Sequence, residues 1–253
     1  MIGIVLAAGA SRRLRPYTDD LPKTLLPVDG DSTILDIALR NLAAAGVHDV
    51  VVVTGHAAAA LRERAPALMR RHRVTLELVH NDRALEWNNA YSLWLGRQFF
   101  GAGAILVNGD TVHPASVEKA LIASDRRPAA AGDRTTACLV LAVDDVKPLA
   151  EEEMKVALGD DGRLSAISKK LDPATANGEY IGVGLIEPDA AAALAAALEA
   201  TWRRDPGLYY EDGFQELADR GGAIAAQPIG AVDWVEVDTP DDLRRAREIA
   251  ARC

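Results

Sequence analysis

The sequence predicts an α/β fold: a doubly wound, mostly parallel (Rossmann-like) mixed sheet with helices on both faces and a small β-rich insertion. Two observations carry this. Over the first 125 residues, short apolar runs alternate with helical segments, the order of parallel crossover units. After about residue 125 the order changes to closely spaced strands and turns. In a doubly wound sheet, ligands bind at the carboxyl ends of the strands near the switch point.

Ile2 to Leu6 reads as a buried parallel strand feeding Ala7-Ala8-Gly9. A long charged loop follows from Ala10 to Pro27. Thr33 to Ala45 is a helix, capped by Ser32 or Thr33 and stopped by Gly46. Val50 to Thr54 is the second strand, closed by Gly55. Ala57 to Arg71 is helical, with a break expected at Pro66. Val74 to Val79 is a more exposed third strand. Asn89 to Phe99 is helical, and Ala104 to Asn108 is the fourth strand, ending in Gly109-Asp110. Pro114 to Ala123 is a helix with proline near its start. Arg126 to Thr135 is a polar connection. Strands follow at Cys138 to Val143, Met154 to Leu158, Leu164 to Ile167 and Ile181 to Ile186, with Gly159-Asp160-Asp161-Gly162 as a hairpin turn. Pro188 to Arg203 and Glu211 to Arg220 are helices. Ile224 to Ile229 and Trp234 to Val237 are short strands. Pro240 to Arg252 is the closing helix, started by Asp238-Thr239-Pro240.

Composition narrows the function. The chain has 253 residues, 49% hydrophobic and 26% charged, with a net charge of −9. That is ordinary globular composition, and its acidity argues against a nucleic-acid-coating protein. Any anionic substrate needs a local positive pocket. Cys138 and Cys253 lie in no metal-ligand spacing, and no apolar run reaches the ~18 residues of a membrane span. Met1 to Leu6 lacks a basic leader. A cytoplasmic protein that binds neither nucleic acid nor membrane is expected.

Three constellations carry chemistry. In the first, small residues straight after a strand let backbone N–H groups approach a base or phosphate. Arg12, Arg13, Arg15 and Lys23 bring positive charge to the same loop, as a nucleoside triphosphate requires. The bland reading is a solvated basic loop. The glycine patterns of dinucleotide-binding and P-loop proteins are absent. In the second, Asp110 and Asp238 each follow an apolar strand, so carboxylates from distant parts of the chain can converge on one Mg²⁺. Asp238 also suits a helix cap before Pro240. In the third, Asn88-Asn89 offers either helix caps or donor–acceptor pairs for a base.

These stretches resemble the sugar-nucleotidyltransferase superfamily. Ala7-Ala8-Gly9, Arg13-Leu14, Pro16, Pro22-Lys23 and Leu25 match its signature. Ser11 stands at the second glycine, and Arg12 replaces a small hydroxyl residue, which predicts a stiffer, more positive loop. Trp87-Asn88-Asn89-Ala90-Tyr91-Ser92-Leu93, Tyr209-Tyr210-Glu211-Asp212 and Trp234-Val235-Glu236-Val237-Asp238 resemble the subgroup of cytidylyltransferases acting on phosphocholine and related phosphates or phosphonates.

The resemblance implies a CTP-dependent cytidylyltransferase with Mg²⁺ on Asp110 and Asp238. Arg13 and Lys23 would hold the triphosphate, with Arg12 left open. Leu6, Ala7, Ala8, Gly9, Ala10 and Gly109 would surround the nucleotide, and Asn88 and Ser92 would contact cytosine or ribose. Residues 1–253 would form one domain, with a nucleotide-binding half (1–125) and an acceptor-binding half (126–253). Lys155, Lys169 and Lys170 cluster in the second half, and Lys155 is the expected partner of the acceptor's phosphate or phosphonate. Solvated hairpin charge explains the cluster equally well. Tyr180 and Glu211 complete the expected acceptor contacts. Trp87, Trp94, Trp202, Tyr209 and Tyr210 offer an aromatic cage or plain packing, and the low aromatic content favours packing. The alternatives are a sugar-1-phosphate nucleotidyltransferase using another triphosphate and a non-catalytic nucleotide-binding regulator. A homodimer is left open.

Overall fold

The computed structural model describes residues 1–124 and 138–252. The expected connection Arg126 to Thr135, and Cys253, lie outside the described residues. In chain order the strands are β1 (Ile2–Ala7), β2 (Pro27–Asp29), β3 (Ser32–Thr33), β4 (Asp49–Thr54), β5 (Thr75–His80), β6 (Ala104–Asn108), β7 (Thr111–Val112), β8 (Leu139–Asp144), β9 (Lys155–Leu158), β10 (Leu164–Ser168), β11 (Gly178–Ile186), β12 (Ile224–Pro228) and β13 (Val235–Glu236). The helices are α1 (Ile34–Ala44), α2 (Ala58–His72), α3 (Asn89–Leu95), α4 (Ser116–Ala123), α5 (Ala191–Arg204), α6 (Tyr210–Asp219) and α7 (Pro240–Ala250).

The main sheet runs β10-β9-β11-β6-β1-β4-β5, with β8 also on β11 and β12 on β8. β6, β1, β4 and β5 are mutually parallel. β11 enters antiparallel beside β6 and makes the sheet mixed. Alternation along the strands sends side chains to two cores. Val5, Val50, Val52 and Val107 meet α1, α2 and α4, while Ile4, Val51, Val53 and Leu106 meet α3, α5 and α6. Each such side chain, fully removed from water, contributes roughly 1.5–3 kcal/mol. The predicted fold class stands.

Local chemistry sets the helix ends. Thr33 and Asp36 form a capping box on α1, and Thr239 and Asp242 form one on α7. One expectation is corrected: α2 continues through Pro66. Leu61, Ala65 and Leu68 clamp its inner face, whereas Pro66 is exposed, so the carbonyl it leaves unpaired in the preceding turn faces water.

A third, smaller core sets up the site. Leu14, Leu26, Val28, Val112, Val235 and Val237 pack with Leu243, Ala246 and Ile249 of α7. It gathers the loop after β1, the β7–β13 ribbon and the closing helix at one end of the sheet.

Candidate active site

The third core places four charged side chains. Arg13 precedes Leu14, Lys23 lies three residues before Leu26, Asp110 two before Val112, and Asp238 directly follows Val237. The antiparallel ribbon pairs Val235 with Val112 and Glu236 with Thr111. The Val237 amide then donates to the Asp110 carbonyl at 2.9 Å, which fixes the two aspartates side by side. On the other flank the Gly109 amide donates to the Leu6 carbonyl at 2.9 Å. A Cβ on residue 109 would lie 2.4 Å from that carbonyl oxygen, so only glycine allows β1 and β6 to end this close.

Lys23 occupies the centre. Its Nζ lies 3.0 Å from Asp110 Oδ2 and 2.8 Å from Asp238 Oδ1, and its side chain is nearly buried. Burial opposes its charge, but the two carboxylates outweigh burial and hold its pKa above the usual lysine range. Arg13 Nη2 reaches Asp238 Oδ2 at 2.6 Å from solvent. Burial works against ionisation of Asp238, yet Lys23 and Arg13 keep its pKa below the usual carboxylate value.

Glu236 stands beside this pair. Carboxylate oxygens of Asp110, Glu236 and Asp238 lie within 4.8 Å of one another. Glu236 has an exposed side-chain surface but stands in a protein-walled hollow. That enclosure and the like charges of Asp110 and Asp238 push its pKa up to about 8. Asp110 Oδ1 is buried without a hydrogen-bond partner. Hard oxygen donors converging with one lone pair unspent fit a divalent cation such as Mg²⁺.

The charged centre opens into a cleft of about 300 Å³. Leu6, Ala7, Ala8 and Gly9 form one wall, and Ser11 turns the loop through a left-handed φ of 46°. A serine thus adopts the conformation that the resemblance assigns to glycine. Its carbonyl is held by Thr18 Oγ1 at 3.0 Å. Asn88, Asn89 and Ser92 line the same side, but their side chains are engaged. Asn88 Oδ1 accepts from the Asn89 amide and its Nδ2 donates to the Gly207 carbonyl. Asn89 Oδ1 accepts from the Tyr210 amide at 2.9 Å, and Ser92 Oγ accepts from Asn81 Nδ2. The asparagines therefore clasp helix α3 to the segment that carries Tyr209 and Glu211.

A second wall holds Lys169, Tyr180, Tyr209 and Glu211. Glu211 is buried, its Oε2 has no hydrogen-bond partner, and desolvation pushes its pKa up to about 7. Tyr210 donates to Asn108 Oδ1 at 2.9 Å and lies 3.3 Å from Tyr180 Oη, which ties the tyrosine pair to the end of β6. Gly182, with φ of 79°, lets the bulged β11 pass Asn108, whose side chain a Cβ would strike.

The structure brings together Leu6, Ala7, Ala8, Gly9, Arg13, Lys23, Asn88, Ser92, Gly109, Asp110, Tyr180, Glu211 and Asp238 in this cleft. Three expected residues are not among those that line it. Lys155 is fully buried and turns its ammonium onto backbone carbonyls. Arg12 begins a 3₁₀ turn and is exposed, and Ala10 lies outside the lining. Trp87, Trp94 and Trp202 pack around Tyr91, Trp94 stacked on it and the other two edge-on, and none of the three lines the cleft. The sequence offers Lys169 only as a member of the cation cluster from which Lys155 is expected to act, and it singles out no role for Glu236, yet both line the cleft. Glu236 is two residues from Asp238 on an extended ribbon, a spacing that puts both on one face.

The model of the Nucleotidyl transferase family matches residues 2–248. The chain is similar to CMP-5'-(3-aminopropyl)phosphonate synthase of Streptomyces rubellomurinus, 34% identical over 248 residues, 96% of this chain and 38% of that protein. It is also similar to choline-phosphate cytidylyltransferase of Streptococcus pneumoniae, 34% identical over 98 residues, 39% of this chain and 40% of that protein. The matches thus span about two fifths of the length of these curated relatives. Among solved structures, the inositol-1-phosphate CTP transferase from T. maritima superposes with a TM-score of 0.79 at 25% identity, covering 99% of this chain and 95% of that one.

Proposed function

The chain belongs to the nucleotidyl transferase family, and on that premise we propose that it is a CTP-dependent cytidylyltransferase acting on a small phosphonate or phosphomonoester. The observation that carries the reading is Lys23 held between Asp110 and Asp238 beside the Ala7-Ala8-Gly9 loop. Support for CTP comes from what the relatives are named for. Residues 1–253 act as one catalytic unit, since Asp238 returns to Gly109-Asp110.

An acceptor oxygen attacks the α-phosphorus of CTP in line. The new O–P bond forms as the bond to the β-phosphate oxygen breaks, and pyrophosphate leaves with that electron pair. The attacking oxygen is already anionic near neutral pH, so no covalent intermediate is required. The residues position two anions and neutralise their charge. Lys23 presents a fixed ammonium to the triphosphate, and Arg13 reaches it from solvent. The Ala7-Ala8-Gly9 backbone receives base and ribose against a wall made rigid by Asn88 and Ser92.

The family is generally metal-dependent. Asp110 and Asp238, with Glu236 beside them, would hold Mg²⁺, which when bound supplies positive charge at the α-phosphate. On the other wall, Lys169 takes the acceptor's anionic end, and Glu211 takes a cationic end through its free Oε2. Tyr180 lines the cleft with them and is held by Tyr210. An aminoalkylphosphonate meets both demands.

A pyrophosphate-release screen tests the reading, with CTP, UTP, dTTP and GTP each offered 2-aminoethylphosphonate, phosphocholine, inositol 1-phosphate and glucose 1-phosphate. CTP with an amine-bearing acceptor is expected to lead. Preference for glucose 1-phosphate with UTP or dTTP would overturn it.

A further inference from the structure

We propose that Lys155 is a positioning residue: its buried ammonium ties loop 150–153 to turn 168–170 and thereby aims Lys169 into the cleft. The proposal rests on the reading of that wall as the acceptor side. Lys155 is fully buried at the start of β9, directly opposite Ser168 of β10. Its Nζ lies 3.2 Å from the Ala150 carbonyl, 2.7 Å from Glu151, 3.2 Å from Glu153 and 2.7 Å from Lys169. Four carbonyl oxygens from two segments thus converge on one cation.

Carbonyl dipoles pointing at a common centre repel one another, and away from water they need donors. An ammonium offers three N–H groups on a compact point charge, which suits a rounded cage. A neutral side chain would leave the cage unfilled, and the two segments would part. What they carry is specific. Met154 follows Glu153 and lines the cleft, and Lys169 contributes both the caged carbonyl and a side chain on the cleft wall. Lys169 Nζ lies 5.7 Å from the Tyr209 ring centre, and its charge is felt by Glu211, Glu236 and Asp238. The first segment is also fastened separately: Lys147 bridges Glu153 and Glu179, and Asp144 accepts from the Val146 amide and the Trp234 indole. The Lys155 side chain therefore adds, beyond the β9–β10 pairing that ends at Ser168, a link between this fastened loop and the turn that presents Lys169.

The test compares Lys155→Met, Lys169→Met, the double variant and the exposed control Lys170→Met in the full chain. Hydrogen exchange is expected to quicken about tenfold or more in residues 148–154 and 168–172 of Lys155→Met, with β1 and β6 unchanged. With CTP and 2-aminoethylphosphonate or phosphocholine, Lys155→Met is expected to raise acceptor KM more than about fivefold while KM for CTP stays within about twofold. In the Lys169→Met background the same substitution should add little, because its effect passes through Lys169. Unchanged exchange in 168–172, or a full rise in acceptor KM without Lys169, overturns the proposal. If neither acceptor is turned over, exchange alone decides the positioning role, separately from the reaction. Lys155→Arg, which keeps the charge but not the compact shape, gives the same readings in smaller measure should the methionine variant fail to fold.

Discussion

Lys23 bridges Asp110 and Asp238, with Nζ at 3.0 Å and 2.8 Å from their carboxylate oxygens. The two aspartates come from opposite halves of the chain, so the bridge records how completely the fold returns its carboxyl end to its amino end. In the proposed function, the same ammonium that keeps the two carboxylates from repelling one another also supplies the fixed charge for a triphosphate.

Lys23→Met is therefore expected to lower kcat/KM by about 10²-fold or more and to destabilise by about 1–3 kcal/mol, since two adjacent carboxylates lose their counter-charge. Millimolar Mg²⁺ should restore more melting temperature to this variant than it adds to the parent. Scanning fluorimetry with and without Mg²⁺ checks it. Equal Mg²⁺ responses would separate Lys23 from the carboxylate centre.

Arg13→Ala should behave differently. Arg13 is mostly solvent-exposed, so its ion pair with Asp238 adds little to stability, and the melting curve should move by no more than about 0.5 kcal/mol equivalent. Loss of a charged donor to the triphosphate should instead raise KM for CTP about tenfold or more. A change in stability with unaltered KM would contradict the assignment.

Gly109→Ala forces a Cβ to within 2.4 Å of the Leu6 carbonyl oxygen and 2.6 Å of Thr24 Cγ2. The carbonyl belongs to the central strand and cannot yield cheaply. A loss of about 1–3 kcal/mol is expected, together with reduced kcat, because Asp110 is the next residue. Denaturant unfolding and steady-state rates measure both.

Glu211 makes the pH behaviour predictable. Burial raises its pKa from 4.5 to about 7 in the folded state. Between those values the folded chain binds more protons than the unfolded chain, so this group's contribution to stability falls as pH rises through the window and is level above it. The full shift corresponds to a penalty on the order of 3 kcal/mol. Glu211→Gln lacks it, so the variant should gain melting temperature over the parent as pH rises from about 4.5 to 7. For 2-aminoethylphosphonate, the parent-to-variant ratio of kcat/KM should rise across pH 7, because the ammonium then meets a charged carboxylate. Taking the ratio cancels the acceptor's own titration.

The parts legible in the sequence were those set by local rules. Apolar runs ending in Gly9, Gly55 and Gly109 gave away the parallel strands, and Thr33 and Thr239-Pro240 marked the helix starts. Lys23, Asp110 and Asp238 were readable because strand ends and loop charge follow the same topology. What stayed hidden depends on distant partners. β11 reads as a strand, but nothing local says that it runs antiparallel between β6 and β8. Lys155 and Lys169 look alike as charges near strand ends, yet four carbonyls from elsewhere capture one and leave the other in the cleft. Asn88 and Asn89 look free to read a base until the Gly207 carbonyl and Tyr210 amide occupy them.

Phosphorus NMR of one reaction tests the central claim most directly. CTP, Mg²⁺ and 2-aminoethylphosphonate are incubated with the full chain and followed over time. The account predicts that the CTP signals decay as pyrophosphate and a coupled pair of phosphonate–phosphate anhydride resonances grow together, and that Asp110→Asn and Lys23→Met abolish both. Unchanged CTP under these conditions and with phosphocholine, or an anhydride product formed from UTP or dTTP in preference to CTP, would contradict it.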